Sequence, residues 1–140
     1  MGTRCLTFVT NDEGFPIICV YRQMDGYPEG HGVDLAKLLA PIKMVNGLGL
    51  DNETVANGAG CLAAQIVAHF KDGPGGIYLH RPNKHMDTWQ EHEYWVDVIA
   101  DSAIQVRVYT PNIAGKRLFK GTVAEFVLWC ANPKEEKRDG

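Results

Sequence analysis

Ile17-Ile18-Cys19-Val20-Tyr21-Arg22-Gln23-Met24-Asp25-Gly26-Tyr27-Pro28-Glu29-Gly30-His31-Gly32-Val33 is the stretch on which the fold turns. Its first five residues are apolar and β-branched or aromatic apart from Cys19, which predicts a strand. From Gly26 to Gly32, three glycines and a proline then restrict the backbone to a particular path. Around them stand a guanidinium, two carboxylates, a phenol and an imidazole, from Arg22, Asp25, Glu29, Tyr27 and His31. None of these is a packing residue. The apolar spacing of Leu35, Leu38 and Leu39 predicts a helix from Val33, and Pro41 stops it near Ala40. A shaped, polar strand-to-helix connection is a usual place for function.

Upstream, Leu6 to Thr10 alternates apolar and polar residues, and Asn11-Asp12-Glu13-Gly14 supplies turn chemistry. With Ile17–Tyr21 this makes an N-terminal β-hairpin. Downstream, Val45 to Asn57 is irregular, with turn signals at Asn46-Gly47 and Asp51-Asn52. Leu62 to Phe70 is apolar nearly all round, which predicts a helix buried on most of its surface and ended by Asp72-Gly73-Pro74-Gly75-Gly76. Short strands are expected at Ile77–Leu79 and Lys116–Phe119. Stronger ones lie at Tyr94–Ile99 and Ala103–Tyr109, joined by a turn at Asp101-Ser102. Thr122-Val123-Ala124-Glu125 fits a capping box for a last helix with Val123, Phe126, Val127 and Cys130 as its apolar stripe. The expected fold is α+β: a largely antiparallel sheet with an N-terminal hairpin, two central helices, further strands and a C-terminal helix. Residues 1–132 form a single domain in this reading, and 133–140 a charged, disordered tail.

Composition narrows the class. A chain of 140 residues with 45% apolar and 22% charged residues has the make-up of an ordinary soluble domain. A net charge of −3 gives no strong nucleic-acid signal, and no apolar run is long enough to span a membrane. Cys5, Cys19, Cys61 and Cys130 are scattered singly without a C-x-x-C pair, so they read as free thiols of a reducing, cytoplasmic compartment.

The residues with chemistry concentrate in the opening stretch. Antiparallel pairing in the hairpin brings Arg4, before the first strand, close to Arg22, at the end of the second. Arg4, Arg22, Gln23, Asp25, Tyr27 and His31 are therefore the candidate ligand-binding residues. The plain alternative is a turn at Asp25-Gly26 braced by an Arg22–Asp25 pair. Asn57-Gly58-Ala59-Gly60 lacks the spacing and lysine of a P-loop and reads as an N-cap ahead of a closely packed helix. His80, His85 and His92 with Asp87 and Glu91 sit in one polar loop region without zinc-ligand spacing, so no metal and no cofactor is expected. Trp89 and Trp95 offer either an aromatic wall or core packing. Cys5 as an exposed N-terminal nucleophile on the hairpin is a minor alternative.

Gly2-Thr3-Arg4 with Leu6-Thr7, followed by Tyr21-Arg22-Gln23 and Asp25-Gly26-Tyr27-Pro28-Glu29-Gly30-His31-Gly32, resembles a family of small uncharacterised proteins of bacteria, their phages and some fungi. Those proteins share an M-G-T-R-x-L-T start and an aromatic-x-Q-x-D-G-Y-P-x-G-x-G signature. Asn57 to Ala64 is similar to the phage-like branch. The resemblance implies a soluble α+β domain and carries no assigned activity. It places Arg4, Gln23, Asp25, Tyr27, Pro28, Gly30 and Gly32 on the shared pattern and leaves Cys5 at a variable position. The leading functional expectation is binding of a polar small molecule, a nucleotide or another phosphate-bearing metabolite, at the Arg22–Gly32 junction. Its rival is a phage or bacterial accessory module that docks on a protein partner, or on a second copy, through Tyr27, Trp89 and Trp95. A hydrolase-like enzyme using Asp25 and His31 comes third.

Overall fold

The computed structural model describes residues 2–45, 55–83, 85–99, 103–111 and 115–133. The turn signals at Asn46-Gly47 and Asp51-Asn52, the Asp101-Ser102 turn and the tail from 134 onward lie outside the described residues. Six strands build the main sheet: β1 (Cys5–Thr10), β2 (Pro16–Arg22), β5 (Ile77–His80), β6 (His92–Ile99), β7 (Ala103–Thr110) and β8 (Lys116–Thr122). Their spatial order is β5-β2-β1-β6-β7-β8. Every pairing is antiparallel except β1 with β6, which run parallel in the register Cys5↔His92 to Thr10↔Asp97. A small parallel pair, β3 (Lys43–Val45) and β4 (Val55–Asn57), stands apart. The helices are α1 (Val33–Leu39), α2 (Gly58–Phe70) and α3 (Val123–Ala131). The chain thus has the α+β architecture that its pattern predicts, with the N-terminal hairpin and the C-terminal helix in place.

The hairpin forms because Asn11 organises its loop: the Asn11 side-chain oxygen accepts from the backbone N–H of Glu13 and of Phe15, at 3.0 and 2.9 Å. β1 departs from its alternating pattern. All six of its residues are buried, because it lies between β2 and β6 with packed layers on both faces. One layer is the main core, where Val9, Val96, Val106 and Val108 meet Leu35 and Leu39 of α1, Leu62 and Ile66 of α2, and Phe126 and Cys130 of α3. Fully burying such a side chain contributes roughly 1.5–3 kcal/mol, so this layer holds the helices on the sheet. The other layer is smaller and joins Leu6, Phe8, Cys19 and Trp95, with the Phe8 and Trp95 rings stacked at 4.1 Å.

Two expectations about the helices change. α2 starts at Gly58, ahead of Leu62, and buries only Leu62, Ala63 and Ile66 along one face. Its apolar outer residues, Cys61, Ala64 and Ala68, are small and exposed, so an all-apolar sequence here makes a one-sided helix. The capping box of α3 is present as predicted. Glu125 N–H donates to Thr122 Oγ1 at 3.2 Å, and Thr122 N–H donates to Glu125 Oε1 at 2.8 Å. Beyond this box the helix is apolar on its outer side too, with Leu128 74% exposed.

Candidate functional site

The connection from β2 to α1 is built by backbone pins. Asp25 adopts a left-handed conformation with φ of 63°, which a short acidic side chain tolerates better than most. Gly26 then passes so close to β1 that a Cβ would lie 2.7 Å from the Cys5 Cβ. Only glycine fits there. Its N–H donates to the Thr3 carbonyl at 2.9 Å, and its own carbonyl accepts from the Tyr94 hydroxyl at 2.7 Å. Pro28–Gly32 winds a single π-helical turn that runs directly into α1, with Pro28 at its first position, where no N–H is needed. His31 N–H closes the loop onto the Asp25 carbonyl at 2.8 Å.

These pins send the His31 ring inward. It is fully buried between the Phe70 ring at 4.6 Å and the Tyr94 ring at 4.8 Å. Its Nδ1 lies 3.3 Å from Arg22 Nη1, and its Nε2 lies 2.7 Å from Thr7 Oγ1. An arginine can only donate, so Nδ1 must be the acceptor and the proton sits on Nε2, which donates to Thr7. The imidazole is held neutral. Burial pushes its pKa down to about 3, and the charges of Arg22, His69 and His92 add to the effect.

Above His31, Arg22 fans out over several partners. Besides His31, its Nη1 reaches Asp34 at 3.6 Å and its Nη2 reaches Asp25 at 4.0 Å, and its guanidinium carbon lies 5.5 Å from the Phe70 ring centre. Arg22 and its neighbours line an open cleft of about 440 Å³. Gln23, Met24 and Asp25 come from the loop, Asp34 from α1, His69 and Phe70 from the end of α2, and Asp72, Gly75 and Gly76 from the turn before β5. The volume falls within the range of small-molecule sites, about 300–1,000 Å³.

The six sequence-derived residues therefore separate. Arg22, Gln23 and Asp25 line the cleft. His31 supports it from beneath without reaching it, and with both nitrogens engaged it offers no free base for acid–base chemistry. Tyr27 stands to one side, 40% exposed, its hydroxyl 3.4 Å from the Asp25 carboxylate. Arg4 is absent from the lining; its carbonyl accepts from the Glu91 N–H at 2.9 Å and ties the N-terminal segment to β6. Asp34, His69, Phe70 and Asp72 complete the cleft and were not legible as site residues, because α2 and β5 reach this edge only through the tertiary fold.

The other candidates resolve into structure. Gln90 braces the loop before β6 by donating to the Met86 carbonyl and to Glu93, at 3.0 and 2.8 Å, while Trp89 is 78% exposed. Trp95 is buried against Phe8, so the two tryptophans occupy unlike surroundings and make no common wall. Among the described residues no three His, Cys, Asp or Glu side chains group as metal ligands. Cys5 is fully buried and burial pushes its thiol far up, which removes it as an exposed nucleophile. Cys19 and Cys130 are buried too, with thiols raised to about 12, whereas Cys61 is exposed. No helix among the described residues is long and apolar enough to cross a membrane. No protein-family model matches the chain, and comparisons with curated proteins and with solved structures returned no significant match.

Proposed function

We propose that this chain binds a small polar molecule in the cleft beside Arg22. One observation carries the reading: the loop singled out by its polar residues forms one wall of a concave site, and Asp34, His69, Phe70 and Asp72 from three other segments form the rest. Such a wall offers carboxylate and amide groups for hydrogen bonding and an aromatic surface for packing, the mixture that orients a polar ligand. Arg22 serves this arrangement as a brace, since its bonds to His31, Asp34 and Asp25 hold the loop against α1. The motif positions Gln23 and Asp25 that support the family resemblance both lie in the lining. The three buried free thiols accord with a reducing, cytoplasmic setting.

A thermal-shift screen over nucleosides, nucleotides, sugars, sugar phosphates and amines tests this. A ligand present at 100 times its Kd should stabilise the wild type by about 2.7 kcal/mol. Arg22→Ala should lose most of that gain. If no compound stabilised the wild type, the cleft would not be a binding site.

A second reading, docking on a protein or on a second copy of the chain, is favoured by the exposure of Trp89 and Leu128, 78% and 74% respectively. Large apolar side chains of this kind anchor interfaces when they are covered. Trp95, buried in the sheet, is not available to such a surface.

A further inference from the structure

We infer that the ligand of this cleft is an extended organic cation of the guanidinium or polyamine class, and not a phosphate ester. The inference rests on the cleft being the binding site and names what it takes. Three carboxylates line it, from Asp25, Asp34 and Asp72, against the single permanent cation of Arg22. That cation is already committed, at 3.3 Å to His31, 3.6 Å to Asp34 and 4.0 Å to Asp25. The ammonium group of Lys71, between the lining residues Phe70 and Asp72 in the chain, is committed as well. Lys71 Nζ donates to the Gly75 and Ile77 carbonyls at 3.2 and 2.9 Å, holding the turn that forms the far wall. An incoming phosphate would therefore meet surplus negative charge and, among the residues lining the cleft, no unengaged permanent cation. A ligand bearing several N–H donors meets the reverse.

Two features set the shape of that cation. The carboxylates come from the β2–α1 loop, from α1 and from the turn after α2, and no three acidic, His or Cys groups among the described residues close into a metal cage. A point charge such as a divalent metal ion is poorly served by that spread, whereas a cation with separated donors can reach more than one carboxylate. Phe70 lines the cleft too and adds an aromatic surface of the kind on which planar and ammonium groups pack.

The test is an amide NMR titration of the full chain at fixed ionic strength, with agmatine, spermidine, adenosine and AMP as probes. Agmatine or spermidine should give saturable shifts at Gln23, Asp25, Gly75 and Gly76, and AMP should not. Asp72→Asn should weaken the cation about fivefold. Asp12→Asn, in the exposed turn at the other end of the hairpin, should leave the affinity unchanged. Saturable binding of AMP or adenosine at these amides without the cations would overturn the cation assignment and leave the cleft standing as a site. Equal weakening by Asp12→Asn and Asp72→Asn would reduce the effect to diffuse surface charge and overturn it as well. Shifts from no probe would remove the cation class, with the thermal-shift screen on the wild type deciding separately whether the cleft binds anything.

Discussion

Arg22 and Arg107 sit on opposite faces of the same sheet, and each lies against an aromatic ring and an aspartate. Arg107, in mid-strand on β7, grips Asp97 of β6 with two short bonds, from Nε at 2.6 Å and Nη2 at 2.9 Å. It donates a third bond to the Tyr109 hydroxyl at 3.1 Å and covers the Trp95 ring at 4.9 Å. Thr10 supplies Asp97 with a further donor at 2.8 Å. Hydrogen bonding to Asp97 raises the arginine's already high pKa further. Arg22, at the end of β2, spreads its donors over three partners at 3.3–4.0 Å and leaves two half-exposed carboxylates facing a cleft. Position in the strand makes the difference. A mid-strand arginine finds its partner on the diagonal of the ladder, where Trp95↔Arg107 and Asp97↔Gln105 fix the spacing, while a strand-end arginine must reach into a loop. The paired site is closed and structural, and the splayed one faces an open cleft.

The deepest cut into this comparison is His31→Ala, which removes the post beneath Arg22. It leaves a cavity between Phe70 and Tyr94 and strips Thr7 and Arg22 of a partner, so the loss should be about 3–5 kcal/mol by chemical denaturation. Next comes Arg107→Ala, which strands the Asp97 carboxylate and should cost about 2–3 kcal/mol. A double-mutant cycle with Asp97→Asn should recover much of that as coupling. A loss from Arg107→Ala smaller than that from Arg22→Ala would reverse the contrast between the closed and the open site.

The smallest effect, taken per pH unit, is a slope. His31 and His92 both have pKa values lowered by burial, His31 to about 3, so the unfolded chain binds protons that the folded chain refuses. The His31 contribution is fully present above the unfolded value of about 6.5 and is lost as pH falls from there toward 3. His31 should add about 1.4 kcal/mol per pH unit to acid destabilisation in that window, and His92 acts in the same direction. His31→Gln should remove its share, and urea midpoints at pH 7 and pH 5 measure it. Identical pH dependence in wild type and His31→Gln would mean that folding does not lower the His31 pKa.

Local signals carried the elements and long-range packing carried the site. Turn chemistry at Asn11–Gly14, helical spacing at Leu35–Leu39 and the Thr122–Glu125 box each act within a few residues, so each is legible in the sequence. The parallel pairing of β1 with β6 is not, because nothing near Cys5 marks His92 as its neighbour. The same limit explains His31. Beside Arg22 and Asp25 in the chain it reads as a ligand-facing imidazole, and only the approach of Tyr94, Phe70 and Thr7 makes it a buried support. Asp72 lies in an ordinary Gly-rich turn until β5 pairs with β2 and carries that turn to the cleft.

The central position of β1 has a consequence for synthesis. Its parallel partner follows 87 residues later, as the Thr10–Asp97 contact records. At about 5–20 residues per second, a ribosome needs roughly 4–17 s to supply that partner. For that interval the hairpin presents Leu6, Phe8 and Val9 along an unpaired edge, the kind of edge that invites pairing with other chains. Slower translation or scarcer chaperones should therefore lower the yield, through a strand that is buried along its whole length once folded.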